Sequence, residues 1–433
     1  MRRPIVHEGA DQLTYEIRGI VSLAKDLEKA GIPILWENIG DPIQKGETIP
    51  QWIKDIISEL VKDDRTYGYI DTQGEPGTRD FLADLVNMRG GCRITKDDII
   101  MFNGLGDAVA RIFGFLKREA RVIGPSPAYS THSSAEAAHS GYEHLTYELD
   151  PRDNWMPDLW DLENKIKYND SISGMLVINP DNPTGAVYPR PILEGMLDIA
   201  KRHNVFVIFD EIYANIVYNG AKTASLSELV GERPGMALRG ISKELPWPGA
   251  RCGWVEVYNQ DKHPMFRTYI QSIIKAKMLE VCSTSLPQYA IPLIMGDKRY
   301  PEHLSKRNTI FEKRANRAYE IFSSVQGIHV TRPRGAFYMT ILFDDEVLNE
   351  KQHLEIPNSA AQEIIEHRIR EIEVDKRFVY YLLAATGICV VPLTGFCCSR
   401  KGFRITMLET DDEKATWIWN TIAGSIERYL ASA

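Results

Sequence analysis

The chain has 433 residues, with 51 Lys and Arg set against 59 Asp and Glu, a formal charge of −8. That balance offers no basic field to hold nucleic acid or an anionic membrane surface, and 44% apolar with 25% charged residues excludes disorder of the whole chain. At roughly 150 residues per domain, the length allows two or three domains.

Met1-Arg2-Arg3-Pro4 is basic, but His7-Glu8-Gly9-Ala10-Asp11 interrupts any apolar core that a signal peptide would need. The longest apolar runs, such as Val205 to Phe209, fall far short of the roughly 20 residues that cross a bilayer. A soluble, cytoplasmic protein with no membrane contact is expected. Its six cysteines show no CxxC and no Cys/His ligand cluster, so reduced thiols are expected, with neither a disulfide framework nor a metal site.

From about Tyr67 to Val257 short apolar, β-branched runs alternate with Gly/Pro/Asn turns and helix-like stretches, which predicts an α/β domain. The predicted strands are Ile99 to Phe102, Arg121 to Ile123, Met175 to Ile178, Val205 to Phe209, Met236 to Ile241 and Gly253 to Val257. They are mostly continuous runs, as in a parallel sheet covered by helices on both faces. Residues 301–325 read as a long amphipathic helix leaving this domain, with Ile310, Phe311, Ala315, Ala318 and Ile321 as its apolar positions. Ile328 to Thr331, Ala336 to Phe343, Gly387 to Val391 and Phe403 to Thr406 read as strands of a smaller α/β domain. The charged stretch from Asp344 to Arg377 reads as one or two surface helices with a solvated face. The expected division is an N-terminal arm with part of the small domain (1–65), a large domain (66–305) and a small C-terminal domain (306–433).

Ligands of an open α/β sheet gather beyond the carboxyl ends of the strands, and four such turns carry unusual polar sets. Asn103-Gly104-Leu105-Gly106-Asp107 enters a helix, where glycines let backbone N–H groups approach an anion. Asn179-Pro180-Asp181-Asn182-Pro183-Thr184-Gly185 has two Asn-Pro steps that restrain the backbone. In Asp210-Glu211-Ile212-Tyr213, the carboxylate of Asp210 ends a buried run and demands a cation or hydrogen-bond donors. In Ser242-Lys243 through Pro248-Gly249-Ala250-Arg251-Cys252-Gly253-Trp254, Lys243 is a Schiff-base candidate and Arg251 a bidentate phosphate ligand.

Taken in order, these motifs closely resemble the class I/II aminotransferases of the fold-type I pyridoxal-phosphate enzymes, from Asn38-Ile39-Gly40-Asp41-Pro42 to Phe403-Arg404-Ile405. The resemblance implies a large domain with a mainly parallel sheet covered by helices, a smaller α/β domain, and pyridoxal 5'-phosphate as cofactor. Lys243 would be the Schiff-base lysine that also shuttles the proton, Asp210 the partner of the pyridinium nitrogen, and Asn182 and Tyr213 the partners of the phenolic oxygen. Arg251 with the amides of Leu105 and Gly106 would hold the phosphate. Tyr129 would stack on one ring face and Ile212 pack on the other. Arg404 would clamp the substrate carboxylate, which Gly40 and Asn182 also approach. Tyr69 would reach the cofactor of a neighbouring subunit, which implies a homodimer with shared active sites.

The reaction implied is transfer of an amino group from an L-amino acid to a 2-oxo acid, ping-pong through pyridoxamine phosphate. A lyase or cyclising synthase of the same fold, and a non-catalytic cofactor-binding regulator, are the alternatives. A nucleotide-binding reading of Gly104-Leu105-Gly106 lacks the third glycine. One departure from the family pattern is Gly240, three residues before the lysine, where a phosphate-binding hydroxyl is common; the contact is lost or passes to Ser242.

Overall fold

A computed structural model describes residues 5–13, 16–370 and 372–432. The strands in chain order are β1 (Leu35–Trp36), β2 (Ile99–Phe102), β3 (Arg121–Ser126), β4 (Thr146–Asp150), β5 (Met156–Pro157), β6 (Ile172–Ile178) and β7 (Phe206–Asp210). They continue with β8 (Gly235–Gly240), β9 (Gly253–Tyr258), β10 (Ile328–Val330), β11 (Tyr338–Phe343), β12 (Ile388–Cys389), β13 (Val391–Pro392) and β14 (Gly402–Thr406). Eight of them form one sheet in the order β2-β9-β8-β7-β6-β3-β4-β5.

The continuous apolar runs have a direct cause in this sheet. Successive side chains of a strand point to opposite faces, and both faces are covered. Ile99, Met101, Met175, Val177, Val207 and Phe209 enter one core, while Ile100, Phe102, Leu176, Ile178 and Ile208 enter the other. The first core takes the helices Pro76–Arg89, Arg190–Arg202 and Ser285–Met295; the second takes Leu105–Gly114 and Pro264–Lys277.

The central strands β4, β3, β6, β7 and β8 are parallel, as expected, but β9 is antiparallel to both β8 and β2. Because β9 runs backwards, its first residues lie on the rim where the parallel strands end. Two of the boundary shifts bear on the site: β7 ends on Asp210 itself, and Ile241 opens a short helix instead of closing β8.

A four-stranded sheet, β10-β11-β14-β13, lies against the helices Tyr300–Phe322, Val374–Thr386 and Asp412–Leu430 in a third core. The predicted helix over 301–325 is present as Tyr300–Phe322, which crosses position 305/306. The N-terminal segment divides between cores. Ile20, Leu23 and Leu27 join the third one and β1 pairs with β12, whereas Ile53 packs into the first.

The solvated face expected within Asp344 to Arg377 is present on the helix Ser359–Arg368, but the stretch as a whole is not exposed. Helix Ser359–Arg368 buries Ala361 and Ile365, and Asp375 at the start of the next helix is also fully buried. Asp375 is held there by accepting hydrogen bonds from the Thr394 amide and hydroxyl. Among the described residues no helix is long and apolar enough to cross a membrane.

Candidate active site

The carboxyl rim of the large sheet holds a cavity of about 240 Å³. Leu105, Gly106, Tyr129, Asn182, Asp210, Ile212, Tyr213, Lys243 and Arg251 all line it. Sheet geometry explains the convergence: these residues follow β2, β3, β6, β7 and β8 or precede the reversed β9.

Asp210 pairs in register with Ile178 on one side and Leu238 on the other, so its carboxyl group is carried on the middle of the sheet. One carboxylate oxygen accepts from the Ile212 amide at 3.1 Å, and the other meets His132 Nε2 at 2.8 Å. His132 escaped the sequence reading. It stands three residues after Tyr129, on the helix Ser130–Ser140, and that spacing places both on one helical face. Their rings meet edge-on with centroids 6.1 Å apart.

Lys243 sits in the one-turn helix Ile241–Glu244, and its amine donates to the Gly40 carbonyl at 2.7 Å. Burial lowers its pKa from 10.5 to about 8, with Asp41 and Asp210 opposing and Arg404 and Arg251 assisting. The amine therefore lies among the charges that the sequence assigned to the site. Arg307, from the long helix, supports this turn by donating to the Lys243 carbonyl at 2.7 Å and the Glu244 carbonyl at 3.0 Å. Glu47 grips the same guanidinium in a two-point pair at 2.5 and 3.0 Å. Nothing in the sequence near Arg307 or Glu47 signals this, because they lie 260 residues apart.

At the other end of the cavity Arg251 takes a left-handed backbone, φ 49°, and donates to the Pro248 and Asn103 carbonyls. It stands over the start of the helix Leu105–Gly114, which has no side-chain cap. The first intrahelical donors there are Asp107 and Ala108, both to the Gly104 carbonyl, so the Leu105 and Gly106 amides precede the helical ladder. Gly104 has φ 80°, and a Cβ on it would come within 2.6 Å of the Arg251 guanidinium. A cation, free amides and a helix N-terminus thus meet around a hollow that only glycine leaves open.

Gly40 and Arg404 do not line this cavity but are tied to it. Gly40 is joined through Lys243. Arg404, on β14 and 2% exposed, donates to Asn182 Oδ1 at 3.1 Å and to the Asn38 carbonyl at 2.5 Å. Its guanidinium lies between rings, 4.6 Å from the centroid of Tyr338 and 5.2 Å from that of Phe396. Its Nε is buried with no hydrogen-bond partner. Two of its five N–H donors are spent on the protein.

Tyr213 is buried and its hydroxyl lies 3.0 Å from that of Tyr338. Burial holds its pKa well above 10, so the group is a hydroxyl and can donate. Tyr338 was read only as part of an apolar strand. Tyr69 is the one predicted site residue that stands apart: its side chain is 85% exposed. Tyr67, by contrast, uses its hydroxyl on the Val61 carbonyl at 2.8 Å.

At Gly240 space is tight. A Cβ there would lie 3.1 Å from the Cys252 carbonyl oxygen and 3.2 Å from Ile212 Cδ1. Ser242 does line the cavity.

Comparison with known proteins gives the same direction. The family model for aminotransferase class I and II matches residues 36–418. An uncharacterized aminotransferase of Methanocaldococcus jannaschii is 57% identical over 99% of this chain and 100% of its own length. A glutamate-pyruvate aminotransferase of Escherichia coli is 30% identical over 78% of this chain and 82% of its own. Among solved structures, an alanine aminotransferase from Pyrococcus furiosus superposes with a TM-score of 0.83 at 26% identity, covering 100% of both chains. With fold, rim and relatives in agreement, the chain belongs to the class I and II aminotransferases, and its reaction is the transfer of an amino group from an amino acid to a 2-oxo acid.

Proposed function

We propose that this aminotransferase holds pyridoxal 5'-phosphate, the family's cofactor, in the cavity on the carboxyl rim, and that its substrates are small L-amino acids and 2-oxo acids of the alanine/pyruvate and glutamate/2-oxoglutarate kind. The observation that carries the cofactor reading is the layout of the cavity. A lysine amine with its pKa lowered to about 8, a carboxylate anchored in mid-sheet, and an uncapped helix start under a guanidinium line one hollow. An aldehyde, a ring nitrogen and a phosphate each find a chemically matched partner there. The substrate reading is supported by the relatives, an E. coli protein named for glutamate and pyruvate and a P. furiosus structure named for alanine.

When bound, the cofactor supplies an electrophilic carbonyl and a conjugated ring that takes up electrons. The chain's residues do the rest. The Lys243 amine, neutral in a useful fraction near pH 8, would be the group that holds the cofactor's carbonyl carbon, with loss of water, and that moves a proton to or from the substrate's α-carbon. Asp210, oriented by the Ile212 amide and His132, holds the proton of the ring nitrogen. Tyr213 and Asn182 donate to the phenolic oxygen, and Arg251 with the Leu105 and Gly106 amides holds the phosphate. Tyr129 and Ile212 enclose the ring. Arg404 takes the α-carboxylate with donors the protein leaves unused, beside Gly40, and so fixes which bond at the α-carbon can react.

We also propose a homodimer in which Tyr69 reaches the partner's cofactor. Its 85% exposure, which leaves the ring open to a second chain, supports this. The test is to saturate the protein with pyridoxal 5'-phosphate, reduce it with borohydride and map the tagged peptide, then screen amino acids one at a time by absorbance. A tag on Lys243, with alanine and glutamate changing the spectrum without ammonia release, is expected. A tag elsewhere, or ammonia release, overturns the reading.

A further inference from the structure

We propose that Tyr338 is a positioning residue for transamination: its hydroxyl orients that of Tyr213 while its ring seats the guanidinium of Arg404. One side chain would then set both the donor to the cofactor's phenolic oxygen and the clamp for the substrate's carboxylate. The inference rests on the roles given above for Tyr213 and Arg404.

The sheet places it there. β11 and β14 are antiparallel, with Thr340 opposite Arg404 and Tyr338 opposite Thr406. Residues two apart share a face, so Tyr338 is the diagonal neighbour of Arg404, within reach of an aromatic side chain. The guanidinium carbon lies 4.6 Å from the Tyr338 ring centroid, a cation-over-ring contact in a buried setting. The ring meets that of Tyr213 nearly at right angles, with centroids 5.8 Å apart, and the two hydroxyls lie 3.0 Å from each other. A Cβ on Gly40 would collide with the Tyr338 hydroxyl, so the same group also abuts the residue whose carbonyl receives the Lys243 amine.

A phenylalanine would serve packing alone. Tyr338 is itself 2% exposed, and its ring packs 4.8 Å from that of Phe337, centroid to centroid. A hydroxyl buried to that degree is costly unless bonded, and a bond it makes is to another site residue. Each hydroxyl carries one proton. If Tyr213 gives its own to a cofactor oxygen, Tyr338 must be the donor within the pair. A hydroxyl that accepts a hydrogen bond becomes a better donor, and its rotation is fixed.

The test compares Tyr338→Phe, Tyr338→Leu, Tyr213→Phe and the double variant Tyr213→Phe/Tyr338→Phe, each saturated with pyridoxal 5'-phosphate. The pH midpoint of the cofactor's visible absorbance is the readout for the hydroxyl. Weakening Tyr213 as a donor disfavours the ionised phenolic oxygen, so Tyr338→Phe should raise the midpoint by about 0.3 pH unit or more. In the Tyr213→Phe background the same change should move nothing, because the effect runs through Tyr213. Pyruvate, which has no amino group to give, reads the clamp. Tyr338→Leu should weaken its binding about 3- to 30-fold through loss of the ring contact, while Tyr338→Phe keeps it within about threefold.

A midpoint unmoved in Tyr338→Phe, or a shift of equal size in both backgrounds, overturns the proposal, as does unchanged pyruvate affinity in Tyr338→Leu. These outcomes leave the cofactor assignment standing. A wild-type protein that develops no visible absorbance removes that assignment and the proposal together.

Discussion

Asp181 sits between the two Asn-Pro steps, fully buried, and no cation answers its charge. One carboxylate oxygen accepts from the Thr184 hydroxyl at 2.5 Å and the Thr184 amide at 3.2 Å; the other has no partner. Burial wins over these two bonds and lifts the pKa from 3.8 to about 7. The sign of the linkage follows. Below pH 3.8 the folded and unfolded chains are both protonated here. Between 3.8 and about 7 only the folded one is, so stability falls as pH rises, and above 7 the whole cost is present. At 1.36 kcal/mol per pH unit, that cost is about 4 kcal/mol, of which about 3 kcal/mol accrues between pH 5 and 8. Asp181→Asn retains an oxygen for Thr184 and removes the charge. Denaturant unfolding of wild type and variant, run in parallel at pH 5, 6, 7 and 8, should show the variant's advantage growing by about 3 kcal/mol across that range. A difference that stays constant with pH would refute the reasoning, because a change in packing alone carries no pH dependence.

On the role proposed for it, Arg404→Met removes donors to a substrate carboxylate, and it strands the Asn38 carbonyl. At about 1.5–3 kcal/mol per charge-assisted bond, kcat/KM measured from initial rates should fall about 10²- to 10⁴-fold. A loss under tenfold would take Arg404 out of the carboxylate site. Gly104→Ala forces a left-handed backbone on alanine at about 1–2 kcal/mol and pushes into Arg251. It should lower the melting temperature and weaken cofactor binding about tenfold, whereas Gly106→Ala, with open space around it, should leave the melting temperature unchanged or slightly higher. Equal effects of the two would show that the hollow above the helix start has no binding role. Because the Lys243 amine gains its proton below about pH 8, the rate at which the cofactor-free protein develops visible absorbance on mixing with pyridoxal 5'-phosphate should rise through that pH. A flat profile from pH 6 to 9 would contradict the lowered pKa.

The turns of the site were legible because a strand buried on both faces writes itself as an unbroken apolar run, and polar residues just past it have few reasons to be there. Lys243, Asp210, Asn182 and Arg251 all stand out in this way. His132 left a trace only in its spacing from Tyr129. Tyr338 and Phe396 left none, since an aromatic within an apolar segment reads as packing whether or not its hydroxyl or face is used. Arg307 and Glu47 meet by tertiary folding alone. The reversed direction of β9 was equally invisible, because β9 carries the same kind of apolar run as its parallel neighbours. The helical spacing of the apolar residues in 359–368 was readable, but not that Ala361 and Ile365 would be fully buried beneath so many charges. The first 65 residues were read as an arm with part of the small domain, yet helical periodicity cannot say which of two cores an apolar face will join.

The reversal of β9 turns residues 241–252 into a ruler. This connection leaves β8 at Gly240 and returns at Gly253, and those two glycines face each other in the sheet. Between them it carries the amine of Lys243 and the guanidinium of Arg251. Adding or deleting one residue there would change the gap between the Lys243 amine and the Arg251 guanidinium, and would slip β9 so that its side chains exchanged cores. Exposed turn residues such as 349–351 escape that constraint and are where insertions belong. Protein engineers working on this scaffold therefore have a twelve-residue stretch whose length is as constrained as the places of Lys243 and Arg251 within it.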